Sequence, residues 1–217
     1  NNVMGLIYLI RHGQTLWNKE EVFRGQSDIP LNNFGRRQAG AIAKELQEKK
    51  LKNPIFFSSP LKRARETAEI AGSFLPGISV SDVEALTDIN FGEWQGQARE
   101  EIEKLYPELY RMWQENPAGV VFPGGEDLRE VAARAEKAFM SIVREHPEND
   151  VVIVTHRVVN KVLLSLLLCA NLDLFWKIRQ DTACINILAR ERSIFNMLVI
   201  NDSCHLRPLG KGDLRDF

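Results

Sequence analysis

The chain has 217 residues, of which 44% are hydrophobic and 26% charged, the proportions of a soluble globular domain within the size that one core sustains. Its 28 basic and 29 acidic side chains leave a formal net charge of −1, so no global field draws it to nucleic acid or an anionic membrane, and any anion site has to be local. No low-complexity tract or repeat appears, and the apolar run Val162 to Ala170, bracketed by Lys161 and Asn171, is far short of the roughly 20 residues a membrane span requires.

Leu6 to Ile10 is a run of apolar residues leading into Arg11-His12-Gly13, which predicts a buried strand whose carboxyl end delivers an arginine and a histidine. That end is where open α/β sheets place ligands. Because the strand starts within a few residues of Asn1, with no basic and apolar leader ahead of it, the expected compartment is the cytoplasm. From Asn18 to Asn32 the chain carries Gly25, Asp28 and Pro30 between those two asparagines, the chemistry of a long irregular loop. A helix follows from about Asn33 to Lys50, with Ala39, Ile42, Ala43 and Leu46 on one face.

Ile55 to Ser59 reads as a second buried strand, after which Pro60 is suited to opening a helix to about Ser73. On that helix Arg63 shares a face with Thr67, as Ala64 does with Ala68. A short strand near Ile78 to Ser81 leads into a shaped loop, Leu86 to Gly96, and two helical pieces within about 97–122 are expected to form a cap beside it. Glycines and prolines from Pro117 to Gly125 mark another loop, and Glu126 to His146 has helical periodicity. Val151 to Thr155 is a third apolar strand, delivering His156 and Arg157 as the first delivers Arg11 and His12. Ala183 to Ala189 and Ser193 to Ile200, joined at Arg190-Glu191-Arg192, look like an edge hairpin. The alternation predicts one α/β domain over 1–217, three layers deep, with a mostly parallel central sheet and helices on both faces. The hairpin offers a route to a homodimer.

Arg11, His12, Arg63 and His156, joined by Arg24 and Arg157, fall at strand ends, a helix start and the loop between, in a chain with no overall positive charge. Such a cluster repels itself unless it binds an anion, and guanidinium forks match phosphoryl oxygens, so a small-molecule phosphomonoester is the natural occupant. A histidine among like charges has its imidazolium form disfavoured, leaving a neutral ring nitrogen able to attack phosphorus. Arginine supplies the positive charge, so neither a metal nor another cofactor is required. Cys169, Cys184 and Cys204 are expected to be reduced buried thiols rather than zinc ligands or a disulfide. His146 before Pro147 and His205 in a polar tail are expected to have no part in the chemistry.

The string Arg-His-Gly-x-Thr-x-x-Asn at Arg11 to Asn18 resembles the histidine phosphatase superfamily, the group that includes cofactor-dependent phosphoglycerate mutases. The likeness continues through Arg24 to Leu31, Gly35 with Gln38-Ala39, Ser58 to Ala64 with Thr67-Ala68, Phe91-Gly92-Glu93-Trp94, Gly124-Gly125-Glu126 and Thr155-His156. The resemblance implies a phosphoglycerate mutase-like fold, a phosphohistidine on His12, and phosphoryl binding by Arg11, Asn18, Gly25, Arg63 and His156. The length and the Phe-Gly-x-Trp-x-Gly string point to the phosphatase branch, which includes alpha-ribazole and broad-specificity phosphatases, over a mutase. A phosphoryl-binding protein without turnover is the other alternative.

The chain departs from the family pattern at three places. Where the family has glutamate as proton donor this chain has Asp88, one methylene shorter, so either the loop compensates or Glu84 or Glu126 contributes. Arg157 stands where Gly is common and Arg24 where Gln or Thr is common. Either Arg157 points away along the following helix and Arg24 extends to solvent, or the two meet a second anionic group on the substrate.

Overall fold

A computed structural model of the chain describes residues 5–191 and 194–210. Six strands, β1 (Leu6–Arg11), β2 (Ile55–Ser58), β3 (Val80–Asp82), β4 (Val151–Thr155), β5 (Ile185–Glu191) and β6 (Ile194–Asp202), lie in the order β3-β2-β4-β1-β5-β6. β4 runs parallel to β1 and β2, and β3 is parallel to β2. β5 is antiparallel to both β1 and β6, which makes the expected edge hairpin. Its expected turn lies partly outside the described residues, and Arg190 and Glu191 belong to β5.

The helices are α1 (Leu16–Lys19), α2 (Asn33–Glu48), α3 (Lys62–Gly72), α4 (Arg99–Leu105), α5 (Pro107–Glu115), α6 (Leu128–Glu145) and α7 (Arg157–Cys169). They cover both faces of the central strands, which explains why β1 and β4 are nearly all apolar and buried, whereas β3 and β6 at the two edges keep exposed positions. Along β1, Tyr8 and Ile10 point to the side where Ile42 and Leu46 of α2 and Ala64 and Ala68 of α3 are buried. Ile7 and Leu9 point to the opposite side, against Val131 and Phe139 of α6 and Val159 and Val162 of α7. A period of two in the strand thus serves two separate cores. Truncating Leu9 to Ala would remove about 2–5 kcal/mol of stability through the cavity it leaves.

Helix starts follow their caps. Asn32 accepts a hydrogen bond from the Gly35 N–H at 2.8 Å, so α2 begins at Asn33. Asp127 accepts from the Arg129 and Glu130 N–H groups, and Glu130 accepts in return from the Asp127 N–H at 2.9 Å, a reciprocal box that starts α6 at Leu128 rather than at Glu126. α3 starts at Lys62, after an extended Leu61 whose carbonyl accepts from Ala64 and Arg65, so Pro60 sits ahead of the helix instead of inside its first turn. α2 stops at Glu48, and Lys50 has a left-handed φ of 51°.

One expectation about single residues is corrected. Only Cys184 is a buried thiol; Cys169 ends α7 at the solvent side and Cys204 opens the turn Cys204–Leu209, so both are exposed. His205 is held in that turn with Nε2 at 3.0 Å from the Ala183 carbonyl, and burial pushes its pKa down. Among the described residues, no helix is long and apolar enough to cross a membrane.

Candidate active site

β1, β4 and β2 are neighbours at the centre of the sheet, and their carboxyl ends lie side by side. The register pairs Arg11 with Thr155, so His12 and His156 leave their strands at the same level. The His12 N–H donates to the Thr155 carbonyl and the Ser59 N–H to the Val154 carbonyl, both at 3.0 Å, which extends the ladder by one residue on each side. The two imidazole rings lie 5.2 Å apart between centroids. Two positions 144 residues apart therefore become a facing pair because parallel strands bring like ends together.

His12 Nδ1 is 2.7 Å from the Gly13 carbonyl oxygen. A carbonyl only accepts, so Nδ1 carries the proton and Nε2 keeps its lone pair. Burial, reinforced by Arg63, Arg11 and Arg24, holds the His12 pKa well below its ordinary value, with the Gly13 contact opposing. The loop behind the ring is tightly seated. The Gly13 N–H donates to Thr67 Oγ1 at 3.1 Å, and a Cβ at Gly13 would lie 2.6 Å from the Gly35 carbonyl oxygen, so only glycine fits. Asn18 Oδ1 accepts from the Thr15 N–H at 2.8 Å and its hydroxyl at 2.9 Å, so the Asn18 side chain is oriented by capping α1.

Arg11 is fully buried and donates from Nη1 to the Gln180 carbonyl at 2.6 Å. Arg63, in the first turn of α3, donates from Nη1 to the Ser27 carbonyl at 2.8 Å and from Nη2 to the Gly25 carbonyl at 2.7 Å. Gly25 has a φ of +51°, and a Cβ there would meet Gln95 Oε1 at 2.2 Å, so the loop that holds Arg63 depends on glycine at this point. Burial, with Arg24 adding repulsion, pushes the Arg63 pKa down to about 10 although Asp88 opposes the shift.

Asp88 Oδ2 lies 3.2 Å from Arg63 Nη2 and 3.6 Å from His156 Nδ1, and Oδ1 accepts from the Ile89 N–H at 3.0 Å. Its loop is clamped by Arg134 of α6, whose guanidinium donates to the carbonyls of Ala85, Thr87 and Asp88 at 2.9, 2.6 and 3.0 Å. The same guanidinium pairs with both oxygens of Glu126, at 2.8 and 2.9 Å. Glu126 is thereby committed to Arg134 and to the Asn90 N–H at 2.8 Å, and Glu84 is exposed. Of the three carboxylates considered from the sequence, Asp88 is the one that touches Arg63 and His156. His156 Nε2 is 2.8 Å from Ser59 Oγ, while its buried Nδ1 has no hydrogen-bond partner. Burial, Arg63 and the facing His12 push the His156 pKa well down.

The sequence matches the histidine phosphatase superfamily (branch 1) over residues 7–203. The chain belongs to that superfamily. Phosphoserine phosphatase 1 of Hydrogenobacter thermophilus is 33% identical to it over 201 residues, 92% of this chain and 93% of the relative. Among solved structures, Bacillus stearothermophilus YhfR superposes with a TM-score of 0.86 at 32% identity, covering 93% of this chain and 98% of that one. A mycobacterial glucosyl-3-phosphoglycerate phosphatase superposes with a TM-score of 0.83 at 28% identity, covering 92% and 100%.

In this histidine phosphatase the two unusual arginines do not extend to solvent. Arg24 is 7% exposed and Arg157 is 9% exposed, and both line one narrow cavity with Gly25, Asp88 and Phe91. A roomier groove of about 470 Å³, lined by Arg37, Lys44, Phe74 and His205 among others, contains none of the clustered residues. Arg134 and Gln180 lie outside the motifs, and Ser59 lies within the motif Ser58 to Ala64 without an expected role. Nothing local in the sequence says which carbonyl or ring each of them will meet.

Proposed function

We propose that the protein is a phosphomonoesterase that passes the phosphoryl group of a small phosphorylated metabolite to His12 and then to water. The observation that carries this reading is the His12 Nδ1 contact with the Gly13 carbonyl, which leaves Nε2 as a neutral nucleophile inside a ring of arginines. Nε2 forms a bond to phosphorus as the ester P–O bond breaks. Arg11, Arg63 and His156, with Asn18, hold the equatorial oxygens, and Gly25 serves through the carbonyl that positions Arg63.

The departing alkoxide takes a proton from Asp88, and Asp88 then takes one from the water that attacks phosphorus and releases His12. An entering phosphoryl dianion competes with Asp88 for Arg63. That puts two anions together and favours the protonated carboxyl the first step needs. The missing methylene of Asp88 is offset by Arg134, which holds the backbone of residues 85–88 against the cluster.

Arg24 and Arg157 meet a second anionic group carried by the substrate, and the helical segment 97–122 walls the side of the site where the leaving alcohol lies. Two of the relatives have names that denote carboxylate-bearing phosphomonoesters, phosphoserine and glucosyl-3-phosphoglycerate, which agrees with this requirement. The test is His12→Ala. Hydrolysis of p-nitrophenyl phosphate should fall by at least about 10⁴-fold and the acid-labile phosphoenzyme should vanish; hydrolysis that persists in the variant overturns the reading.

A further inference from the structure

A cleft of about 260 Å³ lies beside the arginine-lined cavity, walled by Phe23, Tyr110, Trp113, Gln114 and Trp176. The two spaces adjoin at two points. Phe23 lines both, and Arg157, which lines the first, holds its guanidinium 5.9 Å from the centroid of Trp176, which lines the second. The cleft is a built surface rather than a gap between loops. The Trp176 indole N–H donates to the Trp113 carbonyl at 2.6 Å, and its ring meets that of Trp113 edge to face at 5.2 Å. Lys161, one turn beyond Arg157 on α7 and 5% exposed, places its ammonium 4.2 Å from the Trp176 ring centroid. Trp176 is thus held by three contacts while it lines the cleft.

We infer that this cleft is a leaving-group subsite that takes a flat, apolar ring attached to the phosphoester oxygen, with Arg24 and Arg157 at its inner end receiving an anionic substituent on that ring. The inference rests on the phosphomonoesterase reading and narrows its substrate class. A space of 260 Å³ suits a fragment of about one ring, smaller than the roughly 300–1,000 Å³ of drug-sized pockets. The walls are aromatic and rigid, so a planar group gains stacking and edge contacts that a flexible polyol does not.

Four probes separate the two features: phenyl phosphate has the ring alone, phosphoglycolate the carboxylate alone, 3-carboxyphenyl phosphate both, and glycerol 2-phosphate neither. The expected order of kcat/KM places 3-carboxyphenyl phosphate first and glycerol 2-phosphate last. Trp176→Ala should reduce the ratio of phenyl phosphate to glycerol 2-phosphate by about tenfold, carried by KM. Arg157→Ala should reduce the ratio of the carboxylated to the plain aryl ester by a similar factor. Trp176→Phe, which keeps an aromatic wall, should restore most of the first ratio and guards against a folding defect in the alanine variant. Equal kcat/KM for all four probes, or ratios unmoved by both alanine variants, overturns the subsite while leaving phosphatase action intact. Binding of the matching phenyl- and methylphosphonates by calorimetry reads the subsite without turnover. A preference of at least tenfold for phenylphosphonate in a protein that hydrolyses none of the esters would uphold the subsite and overturn the phosphatase reading instead.

Discussion

The two sides of the site are built differently. On the nucleophile side, Arg11 and His12 end β1, His156 follows β4 and Arg63 opens α3, so each is placed by a regular element that the core holds on both faces. On the leaving-group side, Asp88, Arg24 and Trp176 lie on irregular segments, and their positions depend on polar ties such as the five contacts of Arg134 and the Trp176 bond to the Trp113 carbonyl. Backbone hydrogen bonds in a central sheet tolerate substitution at the surface. A loop held by one guanidinium does not. In the proposed reaction, the phosphoryl-transfer residues thus rest on the sheet, while the residues proposed for proton donation and substrate choice sit on side chains that are replaceable one at a time.

Substitutions on the leaving-group side test this contrast, the largest effect first. Asp88→Asn keeps the shape and removes the proton, so kcat for an alkyl phosphate should drop by about 10²–10⁴ with little change in KM. An ester with a good leaving group, such as p-nitrophenyl phosphate, should be affected less, and equal loss on both would assign Asp88 to binding. Arg134→Met should lower kcat by about 10²-fold by releasing the residue 85–88 backbone, since displacement of a catalytic group by about 1 Å costs that much. The decisive readout is the kcat profile against pH. The limb assigned to the proton donor should move in Arg134→Met, whereas simple destabilisation lowers the melting temperature and leaves the limb in place.

Acid stability tests the nucleophile side. His12 and His156 are held neutral, with folded pKa values well below the ordinary 6.5. Between those depressed values and 6.5 the unfolded chain binds more protons than the folded one. Stability is therefore fully present above 6.5 and is lost as the pH falls, by up to about 1.4 kcal/mol per pH unit for each histidine. Chemical denaturation at pH 7.5 and pH 5.5 should show this loss, and bound vanadate should reduce it by rewarding the charged imidazole. A stability that rises on acidification would contradict the neutral assignment. The smallest expected effect is that of a chelator: with arginines supplying the positive charge, EDTA should leave the hydrolysis rate within experimental error, and an abolished rate would contradict that account.

The sheet and its main site residues were readable because the signals are local. An apolar run followed by Arg-His or His-Arg marks both a buried strand and what leaves its end, and Thr67 and Arg63 share a face through simple helical spacing. Asp88 was readable as a position but not as a choice, since Glu84 and Glu126 had equal chemical standing until Glu126 was found on Arg134. Arg24 and Arg157 were ambiguous because a long cationic side chain is as well suited to a surface as to a buried anion site, and only the packing of Phe91, Gly25 and Asp88 around them decides. Cys169 and Cys204 were misread for a related reason: a small apolar residue at a helix end carries no mark of which way the chain turns next.

By itself, then, the sequence determined the alternation of strands and helices, the burial of both faces of the central strands, and the delivery of Arg11, His12, Arg63 and His156 to one edge, because hydrophobic period and strand polarity are properties of neighbouring residues. Only the tertiary structure decided which His12 nitrogen is free to react, which carboxylate meets the cluster, and that Phe23, Trp113 and Trp176 leave a cleft beside it. The first is a contact between adjacent residues that the packing around the Gly13 loop holds in place, and the other two join residues 25 to 153 positions apart, whose contacts form only once the chain has closed around them.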